Sequence, residues 1–205
     1  MEKVKIAVLV SGGGTNLQAL IDAEKRGDLR SGTIALVVSN NSGAYALTRA
    51  AEADIPSLTL TRADCGGQEQ FEQKLHSELT KNGIDLIILA GFMSILSKWF
   101  TDQWPDRIIN VHPALIPSFC GKGMYGLHVH AAALAYGVKV TGATVHFVNE
   151  VPDGGRIILQ KAVDILPGDT PELLQKRVME QAEWILLPRA AELVAQERLK
   201  ERERK

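Results

Sequence analysis

The chain has 205 residues, 23 Lys and Arg against 24 Asp and Glu, and 45% hydrophobic residues, too apolar and too evenly charged for intrinsic disorder. The formal net charge of -1 leaves no basic excess to hold a nucleic-acid backbone, and the length fits one domain spanning 1–205. Two cysteines, Cys65 and Cys120, cannot build a disulfide framework and read as free thiols in a reducing cytosol. The start at Met1 leads into an apolar run too short for a secretory leader, and no run approaches a membrane span. A cytoplasmic protein with no membrane partner is expected.

Residues 6–10 form a continuous β-branched run ended by glycines, which predicts a buried strand. Residues 15–25 follow with helical spacing at Leu17, Leu20, Ile21 and Glu24. A strand is expected over 34–38, a small-residue helix over 44–53, a short strand over 57–60 and a helix over 69–81. Residues 85–90 are the clearest strand, and 107–111 another. This alternation predicts an α/β fold with parallel strands, right-handed crossovers and helices on both faces. After a helix near 128–136, strands at 141–148 and 157–165 follow with only a turn-rich linker between them. They predict an antiparallel pair at the far side of the sheet. Thr170 and Pro171 open the last helix as N-cap and first residue. Pro188 is expected to kink or restart that helix, and the mixed-charge stretch 197–205 to fray in solvent.

Four stretches could carry chemistry. Ser11-Gly12-Gly13-Gly14-Thr15-Asn16 joins the first strand to the first helix, where glycines admit an anion to a helix N-terminus. The loop lacks the Lys of a triphosphate cradle and has Leu17 where a dinucleotide loop needs its third glycine. A phosphate monoester fits best; a plain tight turn is the alternative. Asn110-Val111-His112-Pro113 ends a strand, and alternation puts Asn110 and His112 on one face. An Asn amide suits a developing oxyanion and a His suits proton transfer, though a capped strand end has the same look. Asp153 follows in a turn; brought near His112, its carboxylate is expected to raise the imidazole pKa and fix the tautomer. His146, within a strand, reads as a supporting residue. His128 and His130 raise the thought of zinc, but no Cys pair or His-x-x-x-His accompanies them and no metal is expected. Cys120 reads as a loop thiol. The apolar loop Ala90-Gly91-Phe92-Met93-Ser94-Ile95-Leu96 must cover either core or a flat apolar ligand.

Together, the Gly-rich start, Ala90-Gly91-Phe92-Met93, Asn110-Val111-His112-Pro113-Ala114-Leu115-Ile116-Pro117, and His146-Phe147-Val148 with Asp153-Gly154-Gly155 closely resemble the glycinamide ribonucleotide (phosphoribosylglycinamide) formyltransferases. They form a branch of the formyltransferases that depend on 10-formyltetrahydrofolate. The resemblance runs from Val4 to about Val194 and implies a Rossmann-like, mostly parallel open sheet. It implies transfer of a formyl group from 10-formyltetrahydrofolate, the co-substrate, to the amine of glycinamide ribonucleotide, in purine biosynthesis, by direct attack. Gly14, Thr15 and Asn16 would hold the ribose phosphate, and Glu183 would receive the glycinamide end. Phe92, Met93, Ser94, Ile95 and Leu96, with Asn110 and the segment Asn149, Glu150, Val151, Pro152, Asp153, would form the folate pocket. Asn110, a protonated His112 and Asp153 would be the catalytic trio. Residues from about 1 to 100 would be the phosphate-binding half, and those from about 101 to 205 the catalytic and folate-binding half, in a monomer or homodimer. The resemblance leaves open another folate-dependent formyltransferase or a formyltetrahydrofolate hydrolase; a hydrolase is expected to carry a further N-terminal domain. Three positions depart from the family pattern. Ser94 stands where Arg is usual, Gln68 near a position often basic, and Arg156 where a proline usually stiffens the loop of Asp153. Weaker contacts to the folate tail and a looser Asp153 are expected.

Overall fold

A computed structural model describes residues 2–204; Met1 and Lys205, the ends of the expected N-terminal and frayed C-terminal stretches, lie outside the described residues. The strands are β1 (Val4–Val10), β2 (Gly32–Ser39), β3 (Ser57–Thr59), β4 (Leu86–Leu89), β5 (Ile108–His112), β6 (Val140–Phe147) and β7 (Ile157–Asp164). The helices are α1 (Thr15–Arg26), α2 (Tyr45–Glu52), α3 (Arg62–Cys65), α4 (Gln68–Lys81), α5 (Lys98–Gln103), α6 (Leu127–Tyr136), α7 (Pro171–Val178) and α8 (Trp184–Glu203). A π-helical turn, Met179–Glu183, joins the last two.

One sheet runs in the order β3-β2-β1-β4-β5-β6-β7. The first five strands in that order are parallel, and β6 is antiparallel to both β5 and β7. The expected mostly parallel sheet with an antiparallel pair toward the C-terminal side is therefore what the chain forms. Alternation along β1 explains the two cores: Val4, Ile6, Val8 and Val10 enter one apolar cluster, Ala7 and Leu9 the other. The first cluster is closed by residues of α1, α7 and α8, the second by Phe71, Leu75 and Leu79 of α4 and Phe100 of α5. Helices on both faces are the reason the central strands are apolar throughout. Each fully buried Leu or Ile there contributes about 1.5–3 kcal/mol relative to exposure.

The topology fixes where a ligand can sit. From β1 the chain moves outward to β2 and β3, then returns to β4 on the other side of β1. Such a reversal opens a crevice at the carboxyl ends of the two strands. The glycine loop leaves β1 there, the apolar loop leaves β4, and Asn110 and His112 end the neighbouring β5. Register across β5 and β6 sets Asn110 opposite His146 and His112 opposite Thr144.

Three features differ from expectation. Helices α3 and α5 lie where no helix was predicted; each starts on a capping side chain, Thr61 accepting from the Asp64 N–H at 3.1 Å and Ser97 from the Phe100 N–H at 3.3 Å. The last helix does not break at Pro188, which sits inside α8; the hydrogen-bond ladder instead widens one turn earlier, at the π-helical turn. The charged C-terminal stretch is docked rather than free: Arg202 pairs with Asp85, and Arg198 donates to the Asp106 carbonyl.

Candidate active site

Gly14 caps α1 in the left-handed region, with φ 71°. A Cβ there would lie 2.6 Å from the Cβ of Ala46. Backbone conformation and the close approach of α2 both require glycine at this position. No side chain caps α1, so its first N–H groups stay open to a ligand.

Beside this loop lies a cleft of about 650 Å³, within the usual range of small-molecule sites. Gly14, Thr15, Asn16, Asn110, His112, Pro152, Asp153 and Glu183 all line it, as do Phe92 to Ile95. Four residues from the expected folate pocket do not. Leu96 is turned into the second core, 6% exposed, two residues before α5 begins. Asn149, Glu150 and Val151 form a turn outside the cleft, in which the Asn149 side chain accepts from the Val151 N–H at 3.0 Å. The loop from Gly91 is pinned from outside. Its Met93 N–H donates to the Ser11 hydroxyl at 2.8 Å, Asn40 Nδ2 donates to the Ser94 hydroxyl at 2.8 Å, and Gln68 Nε2 donates to the Ile95 carbonyl at 3.1 Å. Ser94 and Gln68, both departures from the family pattern, thus shape the wall rather than offer it charge. Met93 and Ile95 remain exposed, leaving apolar surface for a flat ring.

The trio converges. His112 Nδ1 lies 3.5 Å from Asp153 Oδ2, and His146 Nε2 lies 3.6 Å from Asp153 Oδ1. His112 Nε2 is 2.8 Å from the Phe119 carbonyl, which can only accept, so this nitrogen carries the proton. By the same reasoning His146 Nδ1 donates to the Phe147 carbonyl at 2.8 Å, leaving Nε2 to accept from Asn110 Nδ2 at 3.3 Å. Asn110 keeps its second amide N–H for a ligand. Asp153 also accepts from the Gly121 N–H at 2.8 Å. Its loop is not loose without the proline: the Arg156 carbonyl accepts from the Phe147 N–H at 2.9 Å, and the Arg156 guanidinium lies 4.5 Å from the centre of the Phe147 ring.

The expected upward pull of Asp153 on His112 is present, but it is not the largest influence. Burial of the ring, 3% exposed, outweighs the attraction of Asp153 and the Phe119 carbonyl, and the pKa falls below the ordinary value. The neutral imidazole, with its N–H on Nε2, is thereby favoured over the imidazolium. For Asp153, burial pushes the pKa up, but the His146 ring, His112 and the Gly121 N–H outweigh it and the net shift is downward. The carboxylate is ionised. Cys120, whose thiol donates to the Pro117 carbonyl, is raised by burial and stays protonated.

Glu183 reaches the cleft from the π-helical turn. Gln175, Met179 and Glu183, spaced by four along α7 and the π-helical turn, all line the cleft. Asn16 Nδ2 donates to the Glu183 carboxylate at 2.7 Å. Burial raises the Glu183 pKa against that bond.

The sequence offers His130 only as a metal ligand. In the fold it lines the cleft, fully buried, with both ring nitrogens unpartnered among the described residues. Only its spacing of three from Ala133, on the buried face of α6, hints at this. Burial, then the nearby His112, lowers its pKa to about 4. An unfolded His titrates near 6.5, so the unfolded chain binds the proton first and stability is lost as pH falls from about 6.5 toward 4. Urea unfolding is expected to lose about 2 kcal/mol from this residue between about pH 7 and pH 5. His130→Leu should flatten that slope; an unchanged slope would show that His130 does not titrate in this way.

Comparison with known proteins agrees with this geometry. The family profile described as formyl transferase matches residues 4–190. The chain is 42% identical over 177 residues to the phosphoribosylglycinamide formyltransferase of Haemophilus influenzae, covering 86% of this chain and 81% of that protein. It is 45% identical over 193 residues to the trifunctional purine biosynthetic protein adenosine-3 of Gallus gallus, covering 94% of this chain; it spans only 18% of that longer protein. Among solved structures, glycinamide ribonucleotide transformylase 1 of Symbiobacterium toebii superposes with a TM-score of 0.89 at 40% identity, over 96% of this chain and 89% of that one. No described helix is long and apolar enough to cross a membrane. A glycine loop, an Asn-x-His strand end and a buried carboxylate at one switch point, matched along nearly the whole chain, place this protein in the formyl transferase family.

Proposed function

We propose that the chain transfers the formyl group of 10-formyltetrahydrofolate to the amine of glycinamide ribonucleotide, as the named relatives suggest. The observation that carries this reading is the single cleft on which the glycine loop, Glu183 and the Asn110, His112, Asp153 trio all open. The chain acts as one domain. Residues up to about 100 supply the phosphate loop and the apolar wall, and the remainder supplies the trio and Glu183.

The formyl donor supplies an activated carbonyl carbon, and its flat ring fits the exposed Met93 and Ile95 surface. The open N–H groups at the start of α1 take the substrate phosphate, and Glu183 accepts from the amine end, with Asn16 holding the carboxylate in place. With both partners aligned, proximity contributes much of the acceleration, and no enzyme nucleophile is needed. The second Asn110 N–H and the His112 Nε2–H donate to the oxygen on which negative charge develops. To donate there, the Nε2–H leaves the Phe119 carbonyl and exchanges one acceptor for another. Ionised Asp153 steadies the ring and favours the imidazolium as a proton passes from amine to leaving nitrogen.

Formyl transfer is measured with both substrates and the purified protein. Formylated ribonucleotide and tetrahydrofolate in equal amounts are expected. Formate release without formylated product would favour the hydrolase, and no turnover of either substrate would overturn the reading.

A further inference from the structure

The carbonyls of residues 11–14 in the glycine loop are all taken, three by partners from residues 41–49 and that of Gly14 by the first turn of α1. Asn41 Nδ2 donates to the Ser11 carbonyl at 3.2 Å, the Ala46 N–H to Gly12 at 3.1 Å, Arg49 Nε to Gly13 at 2.9 Å and the Gln18 N–H to Gly14 at 2.9 Å. In a trans peptide the C=O of one residue and the N–H of the next point in opposite directions. Holding these carbonyls outward therefore turns the N–H groups of Gly12, Gly13, Gly14 and Thr15 toward the cleft. None of the four has an acceptor among the described residues. Such a run of N–H groups is an anion nest.

Among these braces Arg49 is the one charged side chain, and it is held firmly. Its Nη1 donates to Gln18 Oε1 at 2.9 Å, and its guanidinium lies 5.0 Å from the centre of the Tyr45 ring. Sequence reading gave α2 no role beyond a small-residue helix.

We propose that Arg49 is a positioning residue for the phosphate of the substrate: it fixes the Gly13 carbonyl outward, so that the Gly14 N–H faces the anion, and brings a positive charge to the back of the nest. The proposal rests on the function proposed above and names a residue that never touches the ligand. A brace of this kind acts on one substrate only, which a general loss of stability would not do.

The test compares wild type, Arg49→Met and Arg49→Lys in steady-state formyl transfer. Arg49→Met is expected to raise KM for glycinamide ribonucleotide about tenfold, the size of one lost charge-assisted hydrogen bond. Its kcat at saturation and its KM for the formyl donor should stay within about twofold. Arg49→Lys, which keeps the charge without the fixed fork, should recover part of the loss. A second readout needs no catalysis: ribose 5-phosphate should raise the Tm of wild type and raise that of Arg49→Met much less. A ribonucleotide KM within twofold of wild type, or equal rises in both KM values, would overturn the proposal. If wild type transfers no formyl group, the functional reading fails, and the ribose 5-phosphate shifts alone decide whether Arg49 braces an anion nest.

Discussion

His112→Ala is expected to lower kcat for formyl transfer by about 10²- to 10⁴-fold, the usual worth of a positioned proton donor. Affinity for the ribonucleotide should survive, because the glycine loop is braced from α2 and owes nothing to the imidazole. Steady-state kinetics together with calorimetric binding of the ribonucleotide separate the two effects. A kcat near that of wild type would remove His112 from the mechanism. The lowered pKa adds a second expectation for the intact enzyme. With the neutral ring favoured by burial, raising the pH from about 7 to about 8 changes the charge on His112 little, and kcat should not decline there on its account. An alkaline decline that vanishes in His112→Ala would contradict the burial argument.

Asn110→Ala is expected to cost about 10²- to 10³-fold in kcat, comparable to losing one donor from an oxyanion site. The register argument makes this residue hard to replace. Asn110 faces His146 across β5 and β6, so one amide N–H is fixed by that ring and the other is thereby aimed. The KM for the ribonucleotide should change little, since Asn110 acts on charge that appears only as the reaction proceeds. A rise in KM with kcat unchanged would make Asn110 a binding residue instead. The protein should remain folded, because Asn110 is only partly buried and its neighbours Ile109 and Val111 carry the strand into the core.

Strand and helix order was legible because burial on both sheet faces leaves long apolar runs, and the glycine loop because its position after the first strand has few other uses. The Asn110, His112 and Asp153 set was legible by resemblance; composition alone left each with an ordinary structural reading. What escaped the sequence has physical reasons. Helices α3 and α5 are too short for a periodic pattern, yet Thr61 with Asp64 and Ser97 before Phe100 were capping signals that could have found them. The π-helical turn has no compositional mark, and neither does the position of His130. Leu96 looks like its neighbours in the apolar loop, yet it turns into the core. The net direction of the His112 shift was not legible, because a sequence shows that a carboxylate is near but not how much water the fold removes.

The docked C-terminal helix carries a consequence of another kind. Asp85, at the start of β4, accepts the Lys5 N–H at 2.8 Å with one carboxylate oxygen and pairs with Arg202 through the other. One side chain thus gathers the beginning of β1 and the end of α8 on the side of the sheet opposite the cleft. A bulky label or a cross-link placed near Lys5 or Arg202 therefore sits on the floor of the molecule and leaves the mouth of the cleft open.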